Sequence, residues 1–161
     1  MRRIIVFLIV FYVVKCEVVP AVKTIRAYEF LEGADPKFKA QYQEILKLKD
    51  VKKKDIRAKI DEFAKGLPEK NQKLYKDFSE FLDNRQKELD KQRAIRHKIL
   101  NPEAQEFDDK YTAIAQNQEL TVLEECEKIA ALNGQYSVTS RDQLQVPRQV
   151  KCTEYRYRAN H

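Results

Sequence analysis

The sequence predicts an all-α protein: a compact bundle of about five to six helices, built from two helix-loop-helix units joined by a long charged helix. Three observations carry that reading. Glycine occurs only three times in 161 residues, and the chain is rich in Lys, Glu, Gln, Ala and Leu, which lose little on entering a helix. Apolar side chains recur at helical spacing through most of the chain. Pro36, Pro68 and Pro102 stand where helices begin rather than inside them.

Taken in order, Asp35-Pro36 reads as an N-cap followed by proline at the first helical position. Behind it Phe38, Tyr42, Ile45 and Leu46 share a face. A second helix carries Ile56, Ile60 and Phe63 and stops at Gly66. Pro68 opens a long segment whose stripe is Leu74, Phe78, Phe81 and Leu82. From Asp83 to Arg93 only Leu89 continues the stripe, so this stretch is expected as a solvated helix running to Leu100, supported by acid-before-base pairs such as Asp83 and Lys87. Asn101-Pro102 ends it and starts the next helix, with Phe107, Tyr111 and Ile114 inward. Thr121 and Glu124 have capping-box spacing. The helix they open presents Val122, Cys126 and Ile129 and ends near Asn133-Gly134. A short turn is expected around Ser140 to Leu144, and the basic tail 147–161 should lack order unless something ties it down.

Two stretches match at a constant offset of 69: Tyr42 with Tyr111, Ile45 with Ile114, Val51 with Leu120, Asp55 with Glu124 and Ile60 with Ile129. Two readings stand. Amphipathic helices resemble one another by chance, or a helix-loop-helix has been duplicated, its copies packing face to face to bury both stripes in one core.

The N-terminus has a different character. Met1, Arg2 and Arg3 precede an unbroken apolar run of eleven residues, Ile4 to Val14, closed by Lys15. That is too short for a membrane span, which needs about 20 residues, but it suits the core of a signal peptide. The expectation is a leader over 1–16, cut between Cys16 and Glu17, then an extension over 17–35, a helical domain over 36–146 and the tail 147–161. The product would be secreted, with nothing to retain it in a membrane. The chain holds 31 basic and 25 acidic side chains. The leader removes Arg2, Arg3 and Lys15, leaving 28 against 25, a balance that argues against nucleic-acid binding.

Known chemical constellations fit poorly. The two histidines, His97 and His161, lack metal-ligand spacing to cysteine or to each other. There is no phosphate loop and no nucleophile elbow, so the chain reads as a non-enzyme. The paired units also fail as calcium loops. From Asn117 the third, fifth, sixth and twelfth positions are Glu119, Thr121, Val122 and Lys128, and the first unit offers Lys52, Lys53 and Lys54.

The run Tyr111-Thr-Ala-Ile-Ala-Gln-Asn-Gln-Glu-Leu-Thr121, followed by Glu124 to Ile129, resembles the signature half of the SXP/RAL family of secreted nematode antigens. Phe38 to Phe63 is similar to the family's other half, and the resemblance covers roughly residues 37–145. It implies an all-helical domain, labelled cation-binding, in a group that includes anisakid-type allergens and parasite secretions. The sequence departs at Lys52, where the family often has a threonine cap, and in its Cys152-containing tail. The first departure argues against a cation role for the first loop.

Between Pro102 and Glu127 there are eight acids and one base, Lys110, whereas residues 37–65 hold ten bases and five acids. The acids either neutralise the basic half or supply oxygens to a hard cation such as magnesium or calcium, with Asp108, Asp109 and Glu119 as the expected ligands. The partner is then a divalent cation, or an unidentified protein of a host. The alternative function is an extracellular carrier of a small apolar ligand or lipid, lined by Tyr42, Phe63, Phe78, Phe81, Phe107 or Tyr111, residues that serve equally as plain core. With Cys16 removed, Cys126 and Cys152 remain. An oxidising compartment favours their closure, which would pin the tail at roughly 3 kcal/mol of loop entropy. The other outcome is a buried Cys126 with Cys152 free or bridged to another molecule.

Overall fold

The computed structural model describes residues 29–146 and 150–157. The leader, the Cys16–Glu17 cut and most of the N-terminal extension lie outside the described residues. Six α-helices follow a short 3-10 turn, Glu29–Leu31: α1 Pro36–Leu46, α2 Lys53–Lys65, α3 Glu69–His97, α4 Pro102–Gln116, α5 Val122–Asn133 and α6 Val138–Gln143. Among the described residues there is no sheet, so the chain is all-α as its composition predicts.

The starts of the helices are set by local chemistry. The Asp35 carboxylate accepts from Lys37 N at 2.9 Å, with Pro36 at the first helical position. Asn101 accepts from Ala104 N at 2.8 Å ahead of Pro102. Thr121 and Glu124 form the reciprocal capping box, at 3.1 and 2.8 Å. Ser137 caps α6 by accepting from Ser140 N. Each cap satisfies a backbone N–H that the helix itself leaves orphaned.

The two loops meet in a pattern that repeats at the same offset of 69. An antiparallel bridge joins Lys52 to Thr121, positions 69 apart. Lys54 N donates to Gln118 O at 3.1 Å, and Leu123 N donates to Lys49 O at 3.1 Å. Each of these bonds becomes the other when shifted by 69 positions, as an approximate two-fold relation between the units requires. The stripes do not merge into one core, however. Unit one, with the 3-10 turn and the first half of α3, packs around Phe30, Tyr42, Ile56, Ile60, Phe78 and Leu82. Unit two packs around Leu100, Ala104, Phe107, Leu132 and Leu144. Val122 reaches across into the first cluster.

The packed body begins before Pro36. Phe30 and Leu31 are buried, and the Phe30 ring lies 5.2 to 5.3 Å from those of Tyr42, Tyr75 and Phe78. The buried Asn71 amide donates to Phe30 O and Glu32 O, tying this turn to α3. The tail is also held. Cys126 and Cys152 form a disulfide, with Cα atoms 5.6 Å apart. Lys49 Nζ donates to Cys152 O and Thr153 O, and Tyr155 and Tyr157 pack on the first cluster.

Replacing Cys126 and Cys152 together by alanine should lower unfolding free energy by about 3 kcal/mol, the loop-closure value for a separation of this size. Urea denaturation of the oxidised and variant proteins measures it. Equal midpoints would show that the bridge does not constrain the chain.

Candidate functional site

The interior of the seam between the units is charged. Lys53, first residue of α2, and Glu125, on the first turn of α5, are both almost fully buried and form an ion pair. Lys53 Nζ also donates to Ala115 O at 2.5 Å, and Tyr155 Oη donates to the second carboxylate oxygen of Glu125 at 2.6 Å. Buried ions persist when paired and further hydrogen-bonded in this way. The network thus joins α2, α4, α5 and the tail at one point. Sequence reasoning treated Lys53 as one of three loop lysines. The missed signal is that Lys53 lies three and seven residues before Ile56 and Ile60, on the apolar stripe itself.

Of the expected cation ligands, Asp108 and Asp109 come together and Glu119 lies elsewhere. Glu119 sits in the second loop, where it accepts from Lys54 Nζ at 2.7 Å and Lys52 Nζ at 3.1 Å. Those lysines, Lys54 foremost, hold its carboxyl below the ordinary range. Asp108 and Asp109, on α4, face the far end of α3. Asp108 is buried between Arg93 and Arg96. Its Oδ2 lies 2.8 Å from Arg93 Nε without hydrogen-bond alignment. Asp109 is exposed, accepts from Arg93, and lies 3.3 Å from His97 Nε2. The Arg93 hydrogen bond, then the charges of His97 and Arg93, hold its carboxyl low. The Asp109 carboxylate therefore stays charged well into acid, and its pairings weaken only as pH falls through this depressed range.

One ligand atom each from His97, Asp108 and Asp109 lies within 4.8 Å of the others. Metal–oxygen bonds are about 2.0–2.6 Å, so a single ion can reach all three. The donor set, two carboxylates and an imidazole, suits a divalent cation. The same carboxylates already hold two guanidinium groups, which any ion must displace.

The aromatic side chains divide between the two clusters. Tyr42, Phe63, Phe78 and Phe81 pack in the first, Phe107 and Tyr111 in the second. A groove of about 380 Å³ runs between α3 and α4, lined by Gln86, Leu89, Asp90, Arg93, Tyr111 and Gln116 among others. Only Tyr111 of the six aromatics lines it. No helix among the described residues is long and apolar enough to cross a membrane.

The fold and site define a helical protein of two loop-paired helix-loop-helix units carrying an acid cluster where α3 meets α4. The chain belongs to the SXP/RAL-2 family: the model of the family's Ani s 5-like, metal-binding domain matches residues 1–151. No curated protein and no solved structure matches it. The match stops short of Cys152 and Tyr155, so the residues that latch the tail lie beyond it.

Tyr155→Phe should destabilise the protein by about 1.5–3 kcal/mol, because a buried carboxylate loses a hydrogen bond. Thermal melts of the oxidised protein check this, and an unchanged midpoint would mean that Glu125 does not depend on the tail.

Proposed function

We propose that this chain is a secreted, non-catalytic protein that binds a divalent cation weakly through His97, Asp108 and Asp109. The observation that carries the reading is the convergence of three ligand atoms within 4.8 Å, in a chain whose family domain is described as metal-binding. Arg93 and Arg96 act in this account as built-in competitors. They neutralise the carboxylates when no ion is present and lower the affinity by the cost of their displacement. The interhelical loops take no part in cation binding. Lys52 and Lys54 already neutralise Glu119, and a lysine ammonium fills the buried position between the units. Secretion is supported by the basic start and short apolar run at the N-terminus and by the disulfide, which suits an oxidising compartment. The non-catalytic half rests on the absence of any recognisable nucleophile or phosphate motif in the sequence.

Titration with manganese, magnesium and calcium, followed by calorimetry or chemical-shift changes, tests the assignment. Asp108→Asn combined with Asp109→Asn should abolish binding, and Glu119→Gln should leave it unchanged. Arg93→Gln should tighten binding on the order of tenfold, since a positive charge beside a carboxylate is worth at least about one pKa unit. An affinity indifferent to the double aspartate change, or abolished by Glu119→Gln, would overturn the site.

A further inference from the structure

The far half of α3 has two basic sides with different fates. Arg93 and Arg96 turn toward α4 and are engaged by Asp108 and Asp109. On the opposite side Ile95 and Ile99 stand one turn apart, 68% and 83% exposed, the most exposed large apolar side chains among the described residues. Ile99 lies in the turn just past the end of α3, its N–H donating to Arg96 O. At helical spacing, Lys98 and Lys91 flank these isoleucines on the same side, and Lys87 and Arg85 follow two to three turns toward the N-terminus with Glu88 among them. Arg85, Lys87 and Lys98 have no ion-pair partner among the described residues, and Lys91 reaches only Glu88, at 3.7 Å in an exposed contact that contributes little.

We propose that this end of α3 is a docking surface for anionic phospholipid. Ile95 and Ile99 enter the boundary between headgroups and acyl chains, and the four bases meet lipid phosphates and carboxylates. The chemistry is that of an interfacial helix: an apolar edge for the acyl boundary, flanked by long basic side chains whose charges stay at headgroup level. Two features favour a lipid surface over other occupants. A second copy docking here about a two-fold axis would set Lys91 and Lys98 against their own counterparts, like charges that repel. The isoleucines also protrude into solvent, where a soft bilayer yields but a folded partner would need a matching hollow. Such docking is peripheral and salt-sensitive, not a spanning insertion.

Sedimentation of the full chain with phosphatidylserine/phosphatidylcholine vesicles, against phosphatidylcholine alone, reads this directly. Partition is expected to the anionic vesicles only and should fall several-fold when salt rises to several tenths molar. A base near an anionic surface contributes roughly fivefold, so Lys91→Glu with Lys98→Glu should reduce partition at least about tenfold. Ile95→Ser with Ile99→Ser should reduce it comparably, by removing the inserted apolar groups. All four positions are exposed, so both variants should unfold at the midpoint of the parent protein, which separates lost docking from lost folding. The proposal is overturned by no partition, by equal partition to both vesicle types, or by wild-type partition in either folded variant. It is also overturned if the isoleucine change abolishes a concentration-dependent dimer, or if the surface retains an acidic polypeptide but no vesicles.

Discussion

Lys53 and Glu125 carry opposite charges into a place shielded from water, and neither could remain there alone. Removing a single charge from water costs several kcal/mol, recovered only with a partner at close range and the remaining hydrogen-bonding capacity used. Here the Ala115 carbonyl and the Tyr155 hydroxyl supply those remaining bonds. Ala115 lies in the last turn of α4, Lys53 begins α2, Glu125 lies in α5 and Tyr155 in the tail, so satisfying one pair of charges fixes four segments. The loop bridge between Lys52 and Thr121 is one residue from Lys53. The way the units seat against each other follows from that point outward.

The offset of 69 shows where this pair sits in the two units. Shifted by 69 positions, Lys53 corresponds to Val122 and Ile56 to Glu125, and all four are buried. The two units thus share a set of interior positions, apolar at one copy and charged at the other. Two identical apolar faces would tolerate sliding; a single ammonium facing a single carboxylate does not. The same divergence shows at the caps. Thr121 closes a capping box, whereas Lys52 at the equivalent position makes no side-chain cap and reaches across to Glu119 instead. In the paired loops Lys52 and Lys54 neutralise Glu119, whereas Asp108 and Asp109 lie together midway along α4.

How much of this was legible in the sequence depended on how local each determinant is. Caps such as Asp35-Pro36, Asn101-Pro102 and Thr121 with Glu124 act over three residues, so the helix starts could be read directly. The disulfide followed from the two cysteines left once the leader was set aside. Phe30 was missed because Tyr28, Phe30 and Leu31 form too short an apolar cluster to show a period, and the segment is held by Asn71, 41 positions away. Glu119 was grouped with Asp108 and Asp109 because they are neighbours in the chain. The loop pairing turns it toward Lys52 and Lys54, while α4 turns the aspartates toward Arg93. Which of Lys52, Lys53 and Lys54 is buried was written in the α2 stripe, but only to a reading that allows a charge on an apolar face.

The central claim is that the Lys53–Glu125 pair holds the two units in register, and a double-mutant cycle tests it most directly. Lys53→Met and Glu125→Leu approximate the side-chain volumes while removing one charge or both. Each single change should cost about 3–5 kcal/mol, because it strands a buried ion. The double variant should cost far less than their sum, with a coupling of at least about 2 kcal/mol in urea denaturation. Additive costs, or single variants within about 0.5 kcal/mol of the parent protein, would contradict the account.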